Sequence, residues 1–466
     1  MVLAGSASAG WMMLDRFIYR RDEDGDGRFP DESMAPLRAT SSTSHGQPFD
    51  IAILHAEPPA VSRLYLRWPD DTKGSGAAEL AAAHRDLLLF RLVYFDLHLT
   101  YDHFLCMASS DPVPHIELKR LPLCTIPMVL PPFFKEDTVE PMTTHRWFLS
   151  NTVGLVRGSS PGHEDEFVLA QLASITNTPG THDLKEAEVC VLRSRVSATT
   201  DGTWELQKIP IQHKEHQYWR LDDWSTSAVT TFNNLICWIC YYTGGILFYD
   251  VFAETPRISY LRLPTHNRPL YRERGFLEVN RSICVTDGGD ALKYTSVVRT
   301  DDRLCGPLEH REGYRIIADI LKTTEIADME WVREPIVTAS EFWRHNTSER
   351  LPRDAVPEYP LVSMDDPSII YFLLSEEEEK INKVSVVTMD MVTNKMISFF
   401  PDIKGEEDLY GEDADMVQEK SHLLKSFLTS EFPKFLNLTS LELVEAYLLG
   451  EHTILEIHFQ AKAMLT

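Results

Sequence analysis

Five short patterns in this chain put reactive side chains at spacings that known chemistry uses. Gly158-Ser159-Ser160-Pro161-Gly162 matches the G-x-S-x-G nucleophile elbow of serine hydrolases. In that elbow the residue after the nucleophile donates its backbone N–H to the oxyanion. Here that residue is Pro161, which has no N–H, so the pattern reads as a surface turn. Asp22-x-Asp24-x-Asp26-Gly27 copies the start of an EF-hand loop. Its ninth position is Pro30 and its twelfth is Ser33, where calcium needs a bidentate glutamate, so an acidic turn is expected. His84-Arg85-Asp86-Leu87 echoes a kinase catalytic loop, but Arg91 stands where the magnesium-binding Asn belongs. Cys237-x-x-Cys240 has zinc or redox spacing, yet strand residues three apart face opposite sides and no second such pair exists. His213 and His216 lie in a charged loop, His213-Lys214-Glu215-His216, where a weak or absent metal role is the default reading. The residues therefore assign no catalytic group, no cofactor and no metal ligand, and they leave any partner-binding residues unknown.

The bulk properties narrow the partners. The chain has 466 residues and a formal net charge of −25. Nucleic acid and anionic membrane surfaces both favour a basic face, so neither is expected as a partner. Seven cysteines, odd in number and irregular in spacing, suit free buried thiols in a reducing compartment. The N-terminal residues lack the basic and apolar regions of a signal peptide, so an intracellular location, cytoplasmic or nuclear, is expected. Val229–Tyr249 carries no charge and raises the question of a membrane span. Thr230, Thr231, Asn233, Asn234 and Gly244-Gly245 break it into strand-length pieces, and a soluble core is the better reading.

The elements that must position any site centre on Trp224–Pro264. Three apolar runs, Leu235–Tyr242, Ile246–Val251 and Ile258–Leu263, predict three consecutive antiparallel strands, with Gly244-Gly245 as a tight hairpin. Similar runs recur from Phe49 to Phe400, mixing β-branched with aromatic residues and bounded by Gly, Pro, Asp or Asn. Helical patterning is confined mainly to Ala339–Asn346 and Ala414–Phe427, with a local helical look at Ala77–Arg85. Ala39–Gln47 reads as a Ser/Thr loop and Asp111–Pro141, rich in proline, as a long surface loop.

Many short strands with little helix mean a sandwich, a barrel or a propeller, and the length favours a propeller. Apolar-Pro pairs at Trp68-Pro69, Ile209-Pro210, Leu263-Pro264 and Phe400-Pro401 add a weak period. The two long spacings among them come close to three blades of about 40–50 residues. Asp250 and Asp390 close strands and either bond turn amides at blade corners or stand simply exposed. The expected fold is mainly β: an irregular β-propeller of antiparallel blades with a few short helices. It would span residues 11–438, after a disordered 1–10 and before a variable segment 439–466.

With these residues assembled, the chain resembles the plant family Domain of Unknown Function sixteen-eighteen, expanded in grasses. The blocks that carry the resemblance run in order from WMMLDRFIYRRDED, PPAVSRLYLRWP and AAHRDLLLFRL to DDWSTSAVTTFNNLICWICYYTGGILFYDVF. RSICVTDGG, MEWVRE, LPRDAVPEYPLVSMDDPSIIYFLL and KVSVVTMDMVTNKMISFFPDIKGEEDL follow, while Leu441–Thr466 fits poorly. The resemblance implies no established activity, cofactor or catalytic residue. It does imply likeness to the propeller-like domains of plant F-box proteins, although no F-box precedes Phe49.

The function expected from these readings is a non-catalytic protein-interaction scaffold. Its partner would be a protein with a basic surface, held on one loop face within reach of Asp111–Pro141 and Lys404–Asp415. The alternative is an enzyme or small-molecule binder that uses the central channel of a propeller. That alternative predicts His, Asp or Glu side chains converging at one mouth of the channel.

Overall fold

The structure is a computed structural model that describes residues 10–21, 29–68, 77–95, 99–126, 148, 151–178, 184–198, 202–213, 219–265, 277–301, 303, 308, 313–322, 329–344, 355–378, 381–403 and 426–436. It is mainly β. Among the described residues the strands form four hydrogen-bonded sheets; along the chain they run as six successive units, the first joined to the second by a pairing at Phe17 and Glu79 and the third to the fourth by a parallel pairing at Ile211 and Ile258. The first holds β1 (Met12–Arg20), β2 (Leu37–Ser42), β3 (Pro48–Leu54) and β4 (Val61–Arg67), in the order β2-β3-β4-β1 with β1 parallel to β4. The second is an antiparallel meander of β5 (Ala77–His84), β6 (Leu87–Phe95), β7 (Leu99–Ser109) and β8 (His115–Arg120). The third repeats it with β9 (Val153–Arg157), β10 (Glu166–Asn177), β11 (Lys185–Arg195) and β12 (Trp204–Gln212).

A short helix, α1 (Trp219–Asp222), leads to the fourth meander: β13 (Ala228–Phe232), β14 (Leu235–Cys240), β15 (Gly245–Asp250) and β16 (Ile258–Arg262). The fifth holds β17 (Arg281–Thr286), β18 (Ala291–Arg299) and β19 (Tyr314–Leu321), with β20 (Val332–Arg333) and β21 (Val337–Thr338) both pairing with β19. Helix α2 (Ala339–Arg344) follows, opened by a capping box in which Glu341 accepts from the Thr338 N–H at 2.8 Å. The sixth is β22 (Glu358–Val362), β23 (Ile369–Glu378), β24 (Ile381–Asp390) and β25 (Lys395–Ile403). Last in chain order, β26 (Leu428–Ser430) returns to pair antiparallel with β1.

The middle strands explain why the sequence reads as unbroken apolar runs. On β6, β10, β14 and β18 both faces are buried, and each face meets a different neighbour. On β14, Ile236 and Trp238 pack with Val168 and Val189 of the third unit, whereas Cys237 and Ile239 pack with Ile283 and Tyr294 of the fifth. On β10, Val168 and Ala170 face the fourth unit and Phe167 and Leu169 face Leu89 and Leu105 of the second. Phe49 of the first unit meets Phe104 of the second edge-on at 4.9 Å. The sixth unit packs on the fifth, and also on Trp11, Met13 and Val61 of the first, with Trp11 edge-on to Tyr371 at 5.8 Å. Each buried aromatic or aliphatic side chain contributes roughly 1.5–3 kcal/mol.

Several local expectations change. The Trp224–Pro264 stretch holds four strands rather than three, because Ala228–Phe232 also pairs with β14. Its hairpin is not closed by a two-residue Gly-Gly turn. Residues 241–244 form a four-residue loop in which Gly244 takes φ 69°, and Gly245 already belongs to β15. Gly245 is required for a different reason: a Cβ there would lie 2.3 Å from the Tyr260 ring. Ala77–Arg85 is a strand, since pairing with Leu87–Phe95 overrides the helix preference of alanine. Ala39–Gln47 contributes to β2, and β8 runs inside the proline-rich stretch taken for a loop.

Other readings match. Asp390 accepts from the amides of Val392 and Thr393 at 2.8 and 3.2 Å, and Asp250 from that of Phe252 at 3.1 Å. The apolar-Pro pairs at Pro210 and Pro401, by contrast, do not close their strands, which run on to Gln212 and Ile403; Pro401 lies on β25, a sheet edge that tolerates a missing N–H, whereas Pro210 lies on β12 inside its sheet. The six described cysteines are free and buried. No helix among the described residues is long and apolar enough to cross a membrane. The Asp22–Gly27 turn, His216, all of Ala414–Phe427 except its last two residues, the Lys404–Asp415 loop, residues 1–9 and the segment 439–466 lie outside the described residues.

Trp11 is 2% exposed and joins the last unit to the first. Trp11→Ala should lower the unfolding free energy by about 3–5 kcal/mol. Urea denaturation followed by circular dichroism checks this, as a fall in midpoint at unchanged slope.

Candidate functional site

The first strand of most units leaves one edge unpaired. β9 and β13 end one sheet, β17 and β22 each end another, and β26 pairs only with β1. β9, β13, β17 and β26, together with β5, line a cavity of about 200 Å³. Its wall is made by residues 82–85, 153–155, 229–231 and 428–431, with Val285 and Met364. Gly154 lets β9 come close to β14, because a Cβ there would lie 2.5 Å from Ile236.

At one mouth the chain leaves these strands in turns. Arg85-Asp86 follows β5, residues 158–165 follow β9, Asn233-Asn234 follows β13 and residues 287–290 follow β17. Arg85 takes φ 55° and Asn233 φ 54°. Asn adopts this left-handed region with ease, but an arginine there costs about 1–2 kcal/mol.

Hydrogen bonds lace the mouth from unit to unit. The Arg157 N–H donates to His84 Nδ1 at 2.9 Å, and its guanidinium pairs with Asp86 at 3.1 Å. Ser159 Oγ donates to Asn234 Oδ1 at 3.3 Å, and Asn234 Nδ2 donates to Ser160 Oγ at 3.2 Å. Thr231 Oγ1 donates to the Leu155 carbonyl at 2.7 Å. Gly288 N–H donates to the Met364 carbonyl at 2.9 Å, and Thr286 Oγ1 to that of Ser363 at 2.6 Å. Glu431 is paired with Lys434 at 3.7 Å, and Arg85 lies over the Phe435 ring at 5.2 Å.

Two patterns set aside as chemistry thus meet at this mouth. Residues 158–162 form a turn closed by the His163 N–H on the Ser160 carbonyl at 3.0 Å, and a strand follows instead of the helix a nucleophile elbow needs. His84 Nδ1 holds a backbone amide, and Ser159 and Ser160 hold Asn234, so the histidine and serines engage other groups. Cys237 and Cys240 face opposite sides of β14: Cys237 lies in the core toward the fifth unit, while Cys240 accepts from the Thr243 N–H at 3.3 Å. Among the described residues no cluster of three His, Cys, Asp or Glu is placed to hold a metal ion. Sequence reasoning missed Arg85, Asn233 and the Gly288-Gly289 pair as parts of one site. Asn-Asn and Asp-Gly-Gly are visible turn signals, but nothing in them says that four turns share an end.

Residues 238–371 match the family described as "Protein of unknown function (DUF1618)". Over this stretch the chain is similar to that family. The match begins at Trp238 in β14 and ends at Tyr371 in β23, so it supplies Val285, Gly288, Gly289 and Met364 of the cavity wall. His84, Arg85 and Ser159 come from outside the DUF1618 match. No curated protein matches the chain. Among solved structures it is similar to a functionally unknown protein from Desulfotomaculum acetoxidans DSM 771, with 9% identity, a TM-score of 0.32, and coverage of 79% of this chain and 84% of that one. It is also similar to Sqt1 from Chaetomium thermophilum, with 10% identity, a TM-score of 0.32, and coverage of 85% and 75%.

Electrostatics fix the state of the site's histidine. His84 keeps some surface on the cavity but is enclosed by protein. Burial, and then the nearby Arg85 and Arg157 charges, push its pKa down to about 3. His103, on β7 outside the DUF1618 match, is pushed to about 3 by burial and then by Arg91. Both rings are neutral at neutral pH. Below the unfolded-state value near 6.5 the unfolded chain takes up protons that these two sites refuse. Their contribution to stability is therefore present above pH 6.5 and lost as pH falls toward 3. Each should remove roughly 1.4 kcal/mol per pH unit inside that window. Urea midpoints at pH 7 and pH 5 should show the fall, and His103→Gln should make it shallower.

Proposed function

We propose that this chain is a non-catalytic protein-interaction scaffold whose six units are the blades of a β-propeller. Neighbour-to-neighbour packing from the first unit to the sixth, and from the sixth back to Trp11, supports the propeller reading. The observation that carries the interaction reading is the outer edge of the sixth unit. β25 ends its sheet, with one edge unpaired among the described residues. Natural edges are usually blunted by charge or cover. This one presents Ile397 at 58% exposure and Phe400 at 38%, with Val392 at 80% on the preceding hairpin. Ile397 is the extra residue of a bulge between Thr388 and Met389, which turns it outward. An extended segment of a partner could add to this edge through backbone hydrogen bonds and cover the apolar side chains. The net charge of −25 favours a basic partner, steered by long-range attraction.

The test is affinity capture from extracts of the source tissue on immobilised full chain, comparing wild type with Ile397→Lys/Phe400→Ser. These side chains are exposed, so the variant should fold normally by circular dichroism. Wild type should enrich a reproducible basic protein, released by salt, with recovery on the variant down about tenfold. Equal capture by both, or sedimentation of the pure chain as a dimer that the variant abolishes, would overturn the reading.

A second reading, small-molecule binding in the central cavity, is favoured by the enclosed space among the inner strand edges. Unpaired edge groups and the polar mouth make it a wet cavity rather than a dry one.

A further inference from the structure

The cavity mouth carries two donors whose local roles do not use them up. His84 accepts the Arg157 N–H on Nδ1, so in the neutral ring the proton sits on Nε2. Nε2–H is therefore a fixed donor on a side chain that lines the cavity and is surrounded by protein. Among the described residues no carboxylate lies within ion-pair distance of Arg85, which also lines the cavity and is braced by Phe435. Its left-handed backbone would suit Asn or Gly better, which points to a side chain kept for its charge. The other cation at the mouth, Arg157, is already paired with Asp86, and the one acid lining the cavity, Glu431, is held by Lys434.

Resting on the small-molecule reading above, we propose that this cavity binds a small organic monocarboxylate. The carboxylate is received at the mouth by the Arg85 guanidinium and the His84 Nε2–H. Arginine with a neutral histidine donor suits the two oxygens of a carboxylate. The volume, about 200 Å³, exceeds the roughly 150 Å³ of an engineered cavity that takes benzene. An aromatic or branched acid of that order fits, with its body against Ala83, Val229 and Leu428.

The probes are benzoate, its neutral analogue benzamide, and inorganic phosphate, titrated calorimetrically into the full chain. Arg85→Asn is the informative variant, because asparagine suits the left-handed turn and the fold should survive. Benzoate should bind wild type saturably and at least about tenfold more tightly than it binds Arg85→Asn or than benzamide binds wild type. Phosphate should be weaker than benzoate. Equal binding of benzoate and benzamide, or equal benzoate binding by Arg85→Asn, would overturn the carboxylate assignment while leaving the cavity reading standing. Phosphate binding as tightly as benzoate would reduce the mouth to a charge patch and overturn the proposal. No binding of either benzoate or benzamide would remove both the proposal and the cavity reading. His84→Phe gives an independent check: it should weaken benzoate more than benzamide, and equal losses would count against the histidine's part.

Discussion

The constraint on which this structure depends is that no four-stranded unit can bury its own faces. A lone sheet of this size would leave two apolar surfaces in water. Here middle strands such as β6, β10, β14 and β18 assign alternate side chains to two different neighbours. Trp238 stacks on Tyr249 at 5.7 Å within its own unit while packing toward the third, and Cys237 packs toward the fifth. Stability is thereby spread over several interfaces along the chain. It also makes the last interface special, because the sixth unit meets the N-terminal Trp11 and Met13 only if the chain has come round. β26, near the end of the described residues, adds a hydrogen-bonded pairing with β1 to that contact.

The same constraint creates the cavity. When sheets pack face to face in succession, their first strands converge with one edge unpaired. Those edges carry backbone N–H and C=O groups that need partners. Some find them locally: Thr231 donates to the Leu155 carbonyl, and Arg16 reaches the Ala81 carbonyl at 3.4 Å. The mouth is then tied by turns from successive units. Fold and site are thus two results of one packing rule, and the site inherits its rigidity from the interfaces around it.

Much of this was legible in the sequence, and the parts that were not share a cause. Strand runs with β-branched and aromatic residues, the helix opened by Thr338 and Glu341, and the strand-closing Asp390 could each be read locally. β2 could not, because its Leu-Arg-Ala-Thr-Ser-Ser sequence carries polar residues suited to an outer strand. Nor could β5, whose alanines favour helix until β6 pairs with them. The Gly244-Gly245 pair misled for a physical reason: only Gly244 takes a positive φ, while Gly245 is there to admit the Tyr260 ring. A glycine required by packing looks the same in sequence as one required by a turn.

The site shows the limit more sharply. His84-Arg85-Asp86 and Gly158–Gly162 are visible in the sequence as patterns. Their proximity was not visible, because it depends on β5 and β9 being first strands of adjacent units whose ends lie at one mouth. The backbone bond from Arg157 to His84 could not be read either, yet that bond fixes the imidazole's tautomer and leaves its other nitrogen as a donor. Chemistry in such an array of sheets comes from neighbouring turns rather than from any one segment. A search by local motif therefore finds imitations, whereas the groups that can act together lie one on each of several strand ends.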